Sequence, residues 1–244
     1  MANAVNPYVS VDCVILGFDG EQLNVLIVRQ RKSSEFSLSR NDSPVININK
    51  LPGSLINMDE NLDEAAQRVL KQLTGLVQVN MVQFKAFGGA DRNKNPEDRI
   101  WLEHFHDLEH HIERIVTVAY VSLLRIDRKM EKLDGNYEAQ WVPLNQLPKL
   151  AFDHNEIVDE AVKVVRQRAS LDVTILFNLL PRKFTATQLR TLMEVVLGIK
   201  IDVKNFHKKL ATLPYVVALE EKEDGVNHRA ARYYKFKKSK NTHI

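Results

Sequence analysis

The run Leu51-Pro52-Gly53-Ser54-Leu55-Ile56-Asn57-Met58-Asp59-Glu60-Asn61-Leu62-Asp63-Glu64-Ala65-Ala66-Gln67-Arg68-Val69-Leu70-Lys71-Gln72-Leu73-Thr74-Gly75-Leu76 carries its own punctuation. Leu51-Pro52-Gly53 breaks the chain before a new element. Asn61 is a helix N-cap, and Glu64 three residues later can reach back to close a capping box. The helix runs to about Leu73 and stops at Thr74-Gly75, where glycine supplies the left-handed residue that ends helices. Glu60 and Glu64 lie where the helix N-terminus favours a carboxylate by about 0.3–1 kcal/mol, and Arg68 is spaced to pair with either.

Upstream, Tyr8 to Leu16 alternates and is rich in valine and isoleucine, which predicts a strand. Phe18-Asp19-Gly20-Glu21 predicts a hairpin turn, and Leu23 to Val28 a second strand ending in Arg29-Gln30-Arg31. Residues 33–49, rich in serine and asparagine, predict a loop. Downstream, Val77 to Phe87, Val116 to Leu124 and Ala139 to Pro143 are strand-like, and Asn155 to about Gln167 is helical. The chain then changes character. Leu171 to Leu180 predicts an apolar helical stretch closed by Pro181, Thr185 to Leu197 a capped helix, and Val203 to Thr212 a second helix after a turn near Gly198. Val216 to Glu220 and Arg232 to Phe236 bracket a hairpin containing Gly225. Helix, helix, hairpin is the order of a winged helix-turn-helix. The expected division is 1–152, a connecting helix over 153–170, and a second domain over 171–244.

Composition sets the frame. The chain has 244 residues, 44% apolar and 27% charged, enough for two packed domains. Its single cysteine, Cys13, excludes an internal disulfide and points to a reducing compartment and a cytoplasmic protein. No run reaches the roughly 18 apolar residues of a membrane span, so no membrane partner is expected. Residues 170–244 hold 14 Lys/Arg against 7 Asp/Glu, while 1–169 hold 20 against 24. A basic end on an acidic body suggests a polyanionic partner.

The segment Leu51–Leu76 resembles a Nudix box. Pro52-Gly53-Ser54 stands for the family's Pro-Gly-Gly loop, Glu60 for its first glutamate, Arg68 for its arginine and Leu73-Thr74-Gly75-Leu76 for its helix exit. The departures are Val69, Gln72 and Leu73, which stand where the family has three glutamates. Hydrolysis of diphosphates by that family uses magnesium, a hard cation that requires anionic oxygen ligands. The resemblance with those losses implies a domain that recognises a molecule without cutting it, with no catalytic residue, metal or cofactor.

Further along, Ala86 to Arg92, Ile115 to Tyr120, Ala139 to Pro143, Leu150 to His154 and Phe177 to Leu210 are similar, in order and spacing, to Nudix-related transcriptional regulators. The resemblance implies an α/β (α+β) fold: a Nudix α/β/α sandwich with a mixed sheet, then a winged helix. It implies a homodimer on double-stranded palindromic operator DNA, and a small-molecule effector in the old Nudix cleft. Family effectors are ADP-ribose-like nucleotides or sugars such as arabinose. The missing carboxylates tilt the expectation towards a neutral pentose. The competing readings are an active Nudix hydrolase with an accessory nucleic-acid module, and a protein–protein adaptor.

Candidate effector contacts are Arg29, Lys50, Glu60, Phe87, Asp91, Asp153 and His154. Against these stand a solvated strand end for Arg29, a core role for Phe87 and helix capping for Asp153. In a helix-turn-helix the second helix enters the major groove, which turns Lys204, Asn205, His207, Lys208 and Lys209 to DNA and leaves Val203, Phe206 and Leu210 facing the core. Asparagine can read adenine and lysine guanine. Thr185, Thr187, Gln188 and Arg190 of the first helix are expected at phosphates, with Arg229 and Arg232 from the wing. Between Arg99 and Arg114, His104, His106, His110 and His111 hold half of the eight histidines. An amphipathic helix or dimer contact is the preferred reading there over a zinc site.

Overall fold

The computed structural model describes residues 4–30, 48–92, 94–96, 98, 114–130, 137–225 and 230–237. Residues 33–47 of the loop predicted over 33–49, the histidine-bearing segment 99–113, the wing tip with Arg229, and residues 238–244 lie outside the described residues, and Asn49, expected in that loop, is in a strand paired with Arg29. The chain divides into two compact units: residues 1–16, 24–122 and 127–163 form one, and residues 17–23, 123–126 and 164–244 the other.

The first unit is built on a seven-stranded sheet. Its strands are β1 (Val5–Phe18), β2 (Leu23–Gln30), β3 (Asn49–Lys50), β4 (Gly53–Asn57), β5 (Val82–Phe87), β6 (Val116–Leu123) and β7 (Tyr137–Pro143). The path runs β3-β2-β1-β6-β5, with β4 on β1 and β7 on β2. β1 is long because Val11, Cys13, Val14, Ile15 and Leu16 are all fully buried; such near-continuous apolar runs belong to strands covered on both faces. The turn into β2 is made by Asp19, whose Oδ1 accepts from the amides of Glu21 and Gln22, and by Gly20 at φ +109.

Helix α1 (Leu62–Thr74) packs on β4 and β7. The capping box forms as its sequence predicts: Asn61 Oδ1 accepts from Glu64 N–H, Glu64 Oε2 accepts from Asn61 N–H, and Gly75 closes the helix at φ +71. Ala65, Ala66, Val69 and Leu70 form its buried face. Cys13 lies under it, buried, with its thiol 3.8 Å from the Ala66 carbonyl; burial pushes that thiol far above the ordinary range. Helix α2 (His154–Leu171) follows, buried along Ile157, Val158, Ala161, Val165 and Ala169.

Two local expectations are corrected. Val77 to Met81 is not strand; β5 starts at Val82, and Gln78 sits at φ +52, which a ladder cannot accommodate. Val173–Leu179 is a 3-10 turn rather than an α-helix, entered through Asp172, whose side chain accepts from Thr174 N–H.

In the second unit, α3 (Ala186–Leu197) and α4 (Val203–Leu210) precede the strands β9 (Val216–Lys222) and β10 (Arg232–Phe236). β10 pairs with β9 and also with the short β8 (Phe184–Thr185), giving the order β8-β10-β9. Phe184 is fully buried and stacked on Phe236 at 4.3 Å, and Phe236 in turn stacks on Phe177. Helix-turn-helix followed by a hairpin wing is therefore the observed order. Among the described residues, no helix is long and apolar enough to cross a membrane.

Candidate effector cleft and DNA-reading face

Glu60 is bound on several sides. Arg68 Nε donates to its Oε2 at 2.8 Å and Arg68 Nη2 to its Oε1 at 2.5 Å, while Asn57 N–H donates to Oε1 at 2.7 Å. Those hydrogen bonds hold its carboxyl below the ordinary glutamate range. Arg68 also donates to the Leu55 carbonyl and to Gln72 Oε1. Arg68 thus ties the loop to the helix. Glu64 is committed to the cap, and Asp63 accepts from the Tyr120 hydroxyl at 2.6 Å. Val69, at a position where the hydrolase pattern has a carboxylate, is fully buried in the core. Gln72 offers only a neutral oxygen, already engaged by Arg68. This donor set does not fit a magnesium ion, which needs several anionic oxygens free to converge.

A second cluster lies below the Pro52-Gly53 loop. Asp12 sits in the middle of β1 with its side chain 5% exposed. Arg92 Nη2 donates to its Oδ2 at 3.1 Å, and His154 Nε2 stands 3.3 Å from its Oδ1. Burial pushes this carboxyl up, but His154 and Arg92 outweigh burial and hold it well below the usual carboxylate range. Arg92 Nη1 also faces Asp153 Oδ1 at 2.5 Å. Gly53 is packed against the same carboxylate: a Cβ there would lie 1.8 Å from Asp12 Oδ1. Lys50 is buried and donates to the Gly53 carbonyl at 2.5 Å; burial brings its ammonium down to about 8, against the opposing pull of Asp12.

The seven expected effector residues therefore separate. Lys50, Asp153 and His154 come together around Asp12 and Arg92 as a buried polar cluster. Glu60 belongs to the Arg68 pair. Phe87 is 5% exposed and packs edge-on to Phe84, so it is a core residue. Arg29 is exposed at the end of β2, and Asp91 is exposed and paired with Lys94. Asp153 meets Arg92 as a carboxylate, and its carbonyl takes the Ile157 amide. Asp12 and Arg92 were not among the expected residues. The available signal was a charged side chain inside the apolar run Val11 to Leu16, which a strand buried on both faces tolerates only when paired.

In the second unit, Lys204, Asn205, His207, Lys208 and Lys209 are all exposed on α4, and Phe206 and Leu210 are buried. Val203 departs from the expected stripe: it is 52% exposed, because it is the first residue of the helix and nothing precedes it to cover its side chain. Asp202 caps α4 by accepting from Asn205 N–H. On α3, Thr187 is exposed. Thr185, expected at a phosphate, is 4% exposed and spent on capping: its hydroxyl accepts from Gln188 N–H, and Gln188 Oε1 accepts from Thr185 N–H. Arg190 is held by Glu194 at 2.9 Å, whose carboxylate also takes the Ile201 amide. Arg232 is exposed on β10.

A family model described as NUDIX domain matches residues 6–161, and one described as NrtR DNA-binding winged helix domain matches residues 176–236. The chain belongs to the Nudix-related transcriptional regulators. The ADPR responsive transcriptional repressor NtrR of Acinetobacter baylyi is 25% identical over 235 residues, 95% of this chain and 82% of that protein. The crystal structure of Shewanella oneidensis NrtR complexed with a 27mer DNA is 26% identical and superposes with a TM-score of 0.66 over 95% of this chain and 94% of that one. An ADP-ribose pyrophosphatase of Methanocaldococcus jannaschii is 27% identical over 159 residues, 65% of this chain and 75% of the enzyme. In this Nudix-related regulator, the box that a hydrolase uses for metal is occupied by Val69, Gln72 and Leu73, and the winged helix supplies the cationic face.

Proposed function

We propose that this regulator is a homodimeric, cytoplasmic repressor that binds a palindromic operator through α4 and releases it when an ADP-ribose-type nucleotide enters the Nudix cleft. The sensing domain spans 1–152, the connector 153–170 and the DNA-binding domain 171–244. On α4, Lys208 and Lys209 contact phosphates while Lys204, Asn205 and His207 face base edges; Thr187, Arg190, Arg229 and Arg232 add backbone contacts. Arg29 and Asp91 are the exposed candidates for effector contact. The observation that carries the reading is that one chain holds both a helix with an exposed cationic face after a helix-turn and a Nudix helix whose carboxylate positions are apolar, neutral or already bonded.

The choice of effector class follows the relatives. The pentose preference rested on the missing carboxylates and has no support among them, whereas the Acinetobacter relative is named for its response to ADP-ribose. A nucleotide diphosphate can be held by cations and backbone amides without magnesium. An active hydrolase is the second reading, supported by the similarity to the pyrophosphatase and by the retained Glu60–Arg68 pair.

Fluorescence anisotropy on a labelled duplex from upstream of the protein's own gene tests this. Tight binding that weakens with salt is expected, because phosphate contacts release counterions, and ADP-ribose should lower that affinity. ADP-ribose incubated with the protein and magnesium should remain intact by chromatography. Steady magnesium-dependent appearance of AMP, abolished by Glu60→Gln, would replace this reading with the hydrolase.

A further inference from the structure

Four consecutive residues lead from the sheet into α2, and each is fastened to a different part of the first unit. Ala151 N–H donates to the Asn49 carbonyl at 2.9 Å. Phe152 N–H donates to Asp98 Oδ2 at 2.9 Å. Asp153 pairs with Arg92. His154 Nδ1 accepts from Leu51 N–H at 3.0 Å, and its Nε2 faces Asp12. Phe152 stands at φ +54, a left-handed conformation that a bulky residue adopts rarely. Such a residue persists where its surroundings over-determine it, and here the surroundings are these contacts. Asp12, Arg92, Asp98 and His154 are all buried.

The same contacts grip the loop that opens the Nudix box. Leu51 N–H is bound to His154, the Pro52 carbonyl accepts from Cys13 N–H at 2.8 Å, and the Gly53 carbonyl accepts from Lys50. Gly53 leaves no slack against Asp12. A displacement of Pro52-Gly53 must therefore be taken up by the Asp12 carboxylate, whose side-chain neighbours are Arg92 at 3.1 Å and His154 at 3.3 Å. Both lead to the start of α2, Arg92 through Asp153 and His154 directly. Helix α2 is continuous over 18 residues, about 27 Å at 1.5 Å per residue, and its chain passes from the first compact unit into the second.

We propose that Ala151–His154 is a latch between the Pro52-Gly53 loop and α2, with Asp12, Asp98 and His154 as its positioning residues, through which an occupied cleft changes the DNA-binding domain. The proposal rests on the effector-responsive reading above for its biological use. The latch itself is a property of the first unit. Its contacts combine backbone-amide hydrogen bonds of 2.9–3.0 Å with the ion pair of Arg92 to Asp153, and because they converge on four consecutive residues they hold or release as a set, a junction with two arrangements. An effector acts through it by binding one of the two states better.

Two arms test this on the full-length protein. In the first, operator affinity is measured with and without saturating ADP-ribose. His154→Ala is expected to lower the ADP-ribose effect on operator affinity by about tenfold or to nothing, read at ADP-ribose concentrations that saturate the variant. His154→Gln, whose amide can accept at one atom and donate at the other, is expected to restore part of it. If His154→Ala does not fold, Asp98→Asn, which weakens the hold on Phe152 N–H without changing shape, is expected to reduce the coupling several-fold. Wild-type coupling in either folded variant overturns the latch. The second arm needs no effector. Gly53→Ala pushes on Asp12, and is expected to speed amide exchange at Ile157 and its neighbours about tenfold, leaving α3 unchanged. Unchanged exchange at the start of α2 overturns the latch. A wild-type protein whose operator affinity ignores ADP-ribose overturns the effector reading, while the exchange arm still decides the latch.

Discussion

Arg92 and Asp12, eighty residues apart in sequence, meet at 3.1 Å with side chains 4% and 5% exposed. Removing one partner of such a pair leaves a charge stranded in a low-dielectric interior. Arg92→Leu leaves the buried Asp12 with His154 alone and takes the partner from the part-exposed Asp153, and is expected to cost about 3 kcal/mol, read from the urea midpoint at pH 7. A cost below about 1 kcal/mol, the range of exposed pairs, would show that the pair is solvated.

Lys50 gives the protein a pH signature. Its ammonium is brought down to about 8 by burial, whereas an unfolded lysine titrates near 10.4. Between those values the unfolded chain holds the extra proton, so stability from this residue improves as pH rises from 8 towards 10, and is least favourable below 8. Lys50→Met should therefore gain stability over wild type at pH 7 and lose that advantage by pH 10, with a difference changing by up to about 1.4 kcal/mol per pH unit. Paired urea melts at pH 7, 8.5 and 10 measure it, and parallel curves would contradict it.

Restoring the hydrolase pattern has an expected penalty. Val69 is fully buried on α1, so Val69→Glu places a carboxylate in the core with no partner. A loss of about 3 kcal/mol or more is expected, visible as a lower thermal midpoint, and magnesium should not recover it. Recovery by millimolar magnesium would mean that the helix still faces a metal site.

On α4 the exposed side chains should separate by role. Lys208→Ala combined with Lys209→Ala is expected to weaken binding to every duplex alike and to flatten the salt dependence by about one unit per lysine. Asn205→Ala should instead cost about 1–3 kcal/mol on the preferred operator and little elsewhere. Anisotropy titrations on the operator and a scrambled duplex, at two salt concentrations, distinguish these outcomes; equal losses on both duplexes for Asn205→Ala would remove its reading role.

What could be read in the sequence was local. Asn61 with Glu64 and the glycine at 75 set helix ends through bonds three to four residues long, and formed where expected; the start of the next domain's first helix at Thr185 and the turn at Gly198 also stand where the sequence put them. The winged-helix order followed from the same short-range rules. Lys50, Asp153 and His154 were legible as polar candidates, but their meeting around Asp12 and Arg92 was not, because the contacts stand 80 residues apart in one case and 103 in the Leu51–His154 bond, and no periodicity links them. Val203 illustrates the other limit: helical spacing put it on the stripe of Phe206 and Leu210, yet a helix end leaves its first side chain without a neighbour to cover it. Thr185 had two roles open to a hydroxyl at a helix start, capping and phosphate contact, and burial decides for capping.

Cys13 has a practical side. It is the chain's single cysteine, wholly shielded beneath α1, and its thiolate is strongly disfavoured there. Alkylating reagents and mild oxidants attack thiolates that solvent can reach, so the native protein is a silent background for maleimide chemistry. A cysteine engineered onto the exposed side of α4 would take a fluorophore alone, and would report operator capture and release without any other substitution in the molecule.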